Sequence, residues 1–383
     1  MRILDVTVCG GGRTGHLHAV LLSRQPGVRV SWLTGNPEVV GGAAGGIVAR
    51  MPDGSTLRGE PARVGTDPAE ALRHADVVVI TVPAHARAAT LRTIAPHLPR
   101  DKPVFVGAIP GFCGFDWLAE AALAGRPNAV IWGMKDVPHI ACDLVPGRSI
   151  RMAGAKERLH VALHRCESPE SSDALAGHLA RMFAAPVTML RDYLEITLTP
   201  GNPIMHSAVI YGLVGPYGQW RDRPLPEGFC WWSDCPELGA YFLERSDEEN
   251  QRLRRGAEAR LGIDLSSVKP LKTEIVEAYG DQIADAHTML TVLRTNRAYA
   301  GIGAPLIHDA RLGGPTIDRA SRAFTEDVVH GLGLLVWMGR RLDVPTPTLD
   351  EIHRWALAHM GRADNAPSHN SLSHLPQDWP GAV

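Results

Sequence analysis

His206 lies in "TPGNPIMHSAVIYGLVGP", a stretch otherwise apolar enough for a buried helix. An ionisable ring there either moves protons or sits as a satisfied core histidine. The expected helix has Asn202 as its cap and Pro203 at its first position, so His206 falls near the end of the first turn. The helix dipole disfavours a charged imidazole there. A histidine with acid/base work in that place needs a carboxylate to hold its tautomer and favour its charged form. "SRAFTEDVVHGLG" offers Asp327, with Glu326 beside it. Both read equally well as the acids that favour a first helical turn. Arg322, five residues before Asp327, either grips a carboxylate through its planar fork or is a solvated cation. With 17 histidines in the chain, spacing alone does not choose the pair.

A second chemical signal opens the chain. "ILDVTVC" has the β-branched character of a buried parallel strand, and "GGGRTGHLHAVLLS" follows at once. Gly10, Gly12 and Gly15 fit G-x-G-x-x-G, with Arg13 and Thr14 inside the loop, a helix after it and a further strand "VRVSWLT". The first glycine makes the tight turn, the second admits a pyrophosphate, and the third lets helix pack on strand. The helix N-terminus then supplies N–H groups and partial positive charge to the phosphates. The motif reads as a dinucleotide site, the alternative being a glycine-rich turn with no ligand. The second strand ends in Thr34 where NAD sites usually carry an acid. A missing carboxylate leans the expectation towards NADP(H). Arg13 is either a contact for the 2′-phosphate or an exposed loop arginine.

The elements that must position these residues alternate strand and helix up to about residue 187. "GGIVARMPDGSTLRGE" reads as a hairpin around Asp53-Gly54. "ADVVVITVPAHARAATLRTIAPHL" and "PVFVGAIPGFCGFDWLAEAAL" each read as strand, turn and helix, and "NAVIWG" is one more strand. That pattern is a doubly wound parallel sheet with ligand at the carboxyl ends of its strands. Val82 and Pro83 in "VPAHA", and the loop "IPGFCG", fall at those ends; they line the cofactor cleft or are ordinary turn punctuation. Beyond 187 the segments read as helices, including one spanning "LKTEIVEAYGDQIADAHTMLTVL". The expectation is an α/β Rossmann domain over 1–187 and an all-α domain over 188–383.

Composition narrows the classes. A net charge of −2 with mixed signs argues against nucleic-acid and membrane-surface partners. The opening "MRILDVTVCGGG" lacks a signal-peptide pattern, and no window approaches the ~18 apolar residues of a spanning helix. Six irregularly spaced cysteines fit reduced thiols in the cytoplasm. Cys230 and Cys235 bracket "CWWSDC" without a second close pair of ligands, so no metal site is expected. Trp231, Trp232, Trp220 and Tyr217 either line a substrate pocket or belong to the core. The tail after Met360 looks loose.

The chain resembles the octopine/nopaline (opine) dehydrogenase family along its whole length. The matching stretches are "VCGGGRTGHLHA", "VPAHARAATLRTIAPHL", "IPGFCG", "GNPIMH", "RAFTEDVVHGLG" and "LDVPTPTLDEI". The resemblance implies a Rossmann domain followed by a helical domain. It implies NADH- or NADPH-dependent reductive condensation of an amino acid with a 2-oxo acid, both small-molecule substrates. It implies His206 as the catalytic histidine, Asp327 as its partner and Arg322 as the oxo-acid-binding residue. Two departures stand out: Arg13 replaces an asparagine common in the family, and "GMKDVPHIAC" carries Lys135 and Asp136 where an acid and a threonine are frequent. Two other readings stay open: a two-domain dehydrogenase that reduces an oxo or hydroxy acid without an amine, and a dinucleotide sensor without turnover. Oligomeric state is open, a homodimer included.

Overall fold

The computed structural model describes residues 2–165, 167–361 and 372–381, so Cys166 and most of the tail after Met360 lie outside the described residues. The chain forms two compact units, Met1–Thr197 and Leu198–Val383. The boundary therefore lies after Thr197, not at the expected 187/188. The reason is local. Residues 187–189 still form a strand of the first unit's sheet, and the Tyr193 hydroxyl donates to the Gly111 carbonyl at 2.9 Å.

The strands of the first unit are β1 (Leu4–Cys9), β2 (Val28–Leu33), β3 (Ile47–Arg50), β4 (Thr56–Gly59), β5 (Arg63–Gly65), β6 (Val77–Ile80), β7 (Val104–Ala108), β8 (Ala129–Met134), β9 (His139–Val145), β10 (Ser149–Ala155), β11 (Leu159–Leu163) and β12 (Val187–Met189). One sheet runs β12-β11-β8-β7-β6-β1-β2-β5. From β5 to β8 every pairing is parallel, and β11 joins β8 antiparallel. The expected doubly wound sheet is present. Its strand order reverses at the β1–β6 boundary, the place where such sheets receive a ligand.

The physical basis is the two-residue period of a strand. Val77 and Val79 of β6 enter one apolar core, with Leu17 and Val20 of the helix Arg13–Ser23 and Leu175 and Leu179 of the helix Pro169–Phe183. Val78 and Ile80 enter the opposite core, with Leu91 of Ala84–Ile94 and Ala119 of Phe115–Leu123. All four β6 residues are buried, each worth about 1.5–3 kcal/mol of burial. The expected Asp53-Gly54 hairpin joins β3 to β4, but as part of a separate sheet, β4-β3-β10-β9.

The second unit is mainly helical: Gly201–Val214, Glu237–Leu261, Leu271–Tyr279, Met289–Thr295, Gly333–Leu342 and Pro347–His359. The single helix expected over 271–293 is two, because the first ends at Gly280 with φ +45°. A hairpin of β13 (Leu306–Asp309) and β14 (Gly314–Ile317) qualifies the all-α expectation. Ala323–Leu332 is π-helical and runs directly into Gly333–Leu342. No helix among the described residues is long and apolar enough to cross a membrane.

Candidate active site

In the first unit the glycine loop is built almost wholly from backbone. At Gly10, φ is +130° and a Cβ would meet Thr81 Oγ1 at 2.6 Å. At Gly15 a Cβ would meet the Gly10 carbonyl oxygen at 2.0 Å. Those two glycines are required by packing. Gly12 differs: a Cβ there would meet nothing within 4 Å. It caps the helix Arg13–Ser23 with no side-chain cap and no acid in the first turn, which leaves the N-terminal N–H groups for an anion. These features fit a dinucleotide pyrophosphate over Gly12, with Arg13 exposed and Thr14 partly buried beside it.

Residues that carry no motif hold this loop. Trp32 Nε1 donates to the Gly10 carbonyl at 2.8 Å. His16 Nε2 accepts the Gly147 N–H at 2.8 Å, so Nδ1 carries the proton and donates to the Gly12 carbonyl at 2.9 Å. Burial keeps this imidazole below its ordinary pKa, the Gly12 bond opposing. Nothing in the sequence marks His16, whose partner at position 147 lies on a distant turn.

Thr34 is buried, and its Oγ1 is 2.4 Å from where a Gly11 Cβ would stand. It underpins the loop, and the exposed groups at the end of β2 are Gly35 and Asn36. Arg13 lies in the charge field of Asp143, whose carboxyl is held low first by the Arg151 hydrogen bond and then, against burial, by the charges of Arg151, Arg50 and Arg13. Val82 backs the loop, its Cγ1 lying 3.1 Å from a Gly10 Cβ, and Pro83 caps the helix Ala84–Ile94. The "IPGFCG" loop follows β7, and buried Arg87 donates to the carbonyls of Phe112 and Pro110. Asp136 pairs with Lys156 at 2.7 Å.

In the second unit the helix begins at Gly201, earlier than expected. Asn202 is therefore inside the first turn and does not cap, and His206 falls in the second turn. Its Nδ1 lies 2.9 Å from Asp327 Oδ2. With Nδ1–H donated to the carboxylate, Nε2 is the nitrogen left to exchange protons. Asp327 is buried, and burial raises its carboxyl above the usual range, with the His206 hydrogen bond pulling against it.

Arg322 is 68% exposed, and its Nε donates to the buried Glu326 at 2.7 Å. Its charge favours ionised Asp327. In an α-helix, residues five apart sit roughly 140° apart around the axis. The i→i+5 winding of the π-helix instead brings Arg322 and Asp327 towards one face. Periodicity could not reveal this, because it assumes 3.6 residues per turn.

The aromatic stretch divides. Trp231 and Trp232 stack on His206, with centroids at 4.9 and 5.5 Å. Trp220 lies under Arg223, and Tyr217 is exposed. Cys235 is buried and its thiol is pushed up to about 12 by burial. No group of three or more metal-ligand side chains occurs among the described residues.

The chain is similar to known proteins along its length. A family model described as NAD/NADP octopine/nopaline dehydrogenase, alpha-helical domain, matches residues 189–360. "Uncharacterized protein y4xO" of Sinorhizobium fredii (strain NBRC 101917 / NGR234) is 56% identical over 99% of this chain and 100% of its own length. Octopine dehydrogenase of Mizuhopecten yessoensis is 27% identical over 94% of this chain and 90% of its own. A solved octopine dehydrogenase with NADH and L-arginine has a TM-score of 0.82 at 24% identity, covering 94% of this chain and 90% of that one. With its dinucleotide-type loop, its parallel sheet and its helical unit, the chain belongs to the octopine/nopaline dehydrogenase family.

Proposed function

We propose that the protein is an opine dehydrogenase that joins the amine of an amino acid to a 2-oxo acid such as pyruvate, with NADH or NADPH as reductant. The observation that carries this reading is the His206–Asp327 pair, drawn from two distant segments with Nδ1 at 2.9 Å from a buried carboxylate. Asp327 fixes the tautomer so that Nε2 faces the reacting atoms. Nε2 takes one proton from the amine as it attacks the oxo carbon and passes it to the oxo oxygen, giving a carbinolamine. It then relays the second amine proton to that hydroxyl, which leaves as water and gives the imine. Arg322 holds the oxo-acid carboxylate through the fork edge that Glu326 does not use. Gly10, Gly12, Arg13, Thr14 and Gly15 would hold the dinucleotide, which would supply the hydride; the imine becomes a secondary amine by taking that hydride at carbon and a proton at nitrogen. The loop after β6, with Val82 and Pro83, forms the adjoining wall.

We also propose NADPH as the preferred reductant, because the end of β2 bears no acid and Arg13 is exposed at the loop. The test is a matrix of amino acids against pyruvate, glyoxylate and 2-oxoglutarate, with oxidation of each reduced nucleotide followed separately. Turnover that requires both an amine and an oxo acid supports the reading. Equal turnover with an oxo acid alone would show a simple oxo-acid reductase, and binding without turnover across the matrix a sensor.

A further inference from the structure

We propose that Trp231 and Trp232 are positioning residues for His206, forming an aromatic floor that holds the imidazole plane and aims Nε2. This rests on the reading of His206 as the acid/base. The two indoles are tilted only 25° and 12° from the imidazole plane. They are 5.8 Å from each other, too close to enclose the ring from opposite faces. The ring meets its aromatic neighbours on one side and keeps 19% of its side chain exposed.

One hydrogen bond at Nδ1 leaves the ring free to tilt about that bond. Contact with a flat, fixed surface removes that freedom and aims Nε2.

The floor is rigidly mounted. The Trp231 N–H donates to the Ile302 carbonyl at 2.9 Å, and the Cys230 N–H to Asp234 Oδ2 at 2.8 Å. Arg294 grips the Cys235 carbonyl with Nε at 3.0 Å and Nη2 at 2.7 Å. Tyr299 packs on Trp232 with centroids 5.7 Å apart. Both tryptophans are about 5% exposed, so their faces are largely dry.

Several charged groups on the elements packed against the helix Gly201–Val214 have partners of their own. On the π-helical segment, Asp327 faces His206, with Glu326 and Arg322 paired behind it. On Glu237–Leu261, Asp247 accepts from the Leu271 N–H and Glu249 from Thr348 and Leu349. On Pro347–His359, Glu351 takes the Tyr211 hydroxyl, and in the tryptophan loop Asp234 is held by Cys230.

The test is NMR relaxation of the His206 ring in the full chain, in wild type and in Trp231→Leu, Trp231→Phe, Trp232→Leu and Trp232→Phe, beside the kcat and KM of each. The leucine variants keep apolar bulk but lose the flat face. Their imidazole is expected to gain mobility and their kcat to fall roughly 10- to 100-fold with KM little changed, with phenylalanine restoring part of both. Unchanged ring relaxation and kcat in folded leucine variants, even with a lowered Tm, would assign the tryptophans to packing alone and overturn the proposal. Near-native turnover of His206→Ala would instead remove the acid/base reading on which it rests. The relaxation measurement needs no substrate, so the two failures are distinguishable.

Discussion

The two units build their sites from different material. The glycine loop of the first is backbone within six consecutive residues, and its supports, Trp32, His16 and Thr81, only brace it. The dyad of the second joins side chains 121 positions apart. A backbone site leaves its mark as a motif, because only glycine satisfies both the turn and the close approach. A side-chain site leaves single residues that the rest of the sequence can imitate.

That contrast predicts losses of different kinds. The largest effect belongs to the dyad. His206→Ala is expected to lower turnover by about 100- to 10,000-fold, or ~3–5 kcal/mol of transition-state stabilisation at ~1.4 kcal/mol per tenfold. Asp327→Ala should lose somewhat less, and the double variant little more than His206→Ala, because the pair acts as a unit. Dinucleotide affinity should survive in all three. Simple addition of the two losses, measured in a double-mutant cycle, would break the dyad.

The loop variants should separate binding from stability. Gly12→Val faces open space and is expected to fold normally while losing at least roughly tenfold in dinucleotide affinity, the kind of loss that a blocked phosphate contact gives. Gly15→Ala drives a Cβ onto the Gly10 carbonyl and is expected to lower Tm sharply. Calorimetry with and without nucleotide distinguishes them. Unchanged affinity in folded Gly12→Val would move the pyrophosphate elsewhere.

A smaller effect concerns the reductant. Arg13→Ala should reduce the NADPH-to-NADH ratio of kcat/KM by a few-fold, as expected for one partly screened charge. A ratio that favours NADH in the wild type would overturn the preference itself.

The smallest effect is a slope in stability. Burial alone would lower the His164 pKa, but the Asp116 hydrogen bond and charge, with Glu120, raise it. A raised histidine contributes stability that is full below about pH 6.5 and is lost as pH rises through the folded value. The buried, depressed histidines do the reverse. His18, at about 3, and His139, His353 and His359, at about 4, stay neutral in the folded chain, so stability falls as pH drops from 6.5 towards 4. Tm should therefore peak near pH 6.5, and Asp116→Asn should flatten only the alkaline side. An unchanged alkaline slope in that variant would remove His164 from the account.

The sequence by itself determined the alternation of strand and helix, the glycine loop and the hairpin at Asp53-Gly54. Each follows from short-range rules: the two-residue period of a strand, the backbone freedom of glycine, and the turn chemistry of Asp-Gly. It also carried His206, Asp327 and Arg322, though as three residues each with a bland alternative, assembled there by resemblance. Tertiary structure decided the rest. It started the His206 helix at Gly201, placed Thr34 beneath the loop and extended the first unit to Thr197. It stacked Trp231 and Trp232 on the imidazole and wound Ala323–Leu332 as a π-helix. These outcomes depend on which distant surfaces meet and on a departure from 3.6 residues per turn, and neither quantity is encoded in local spacing.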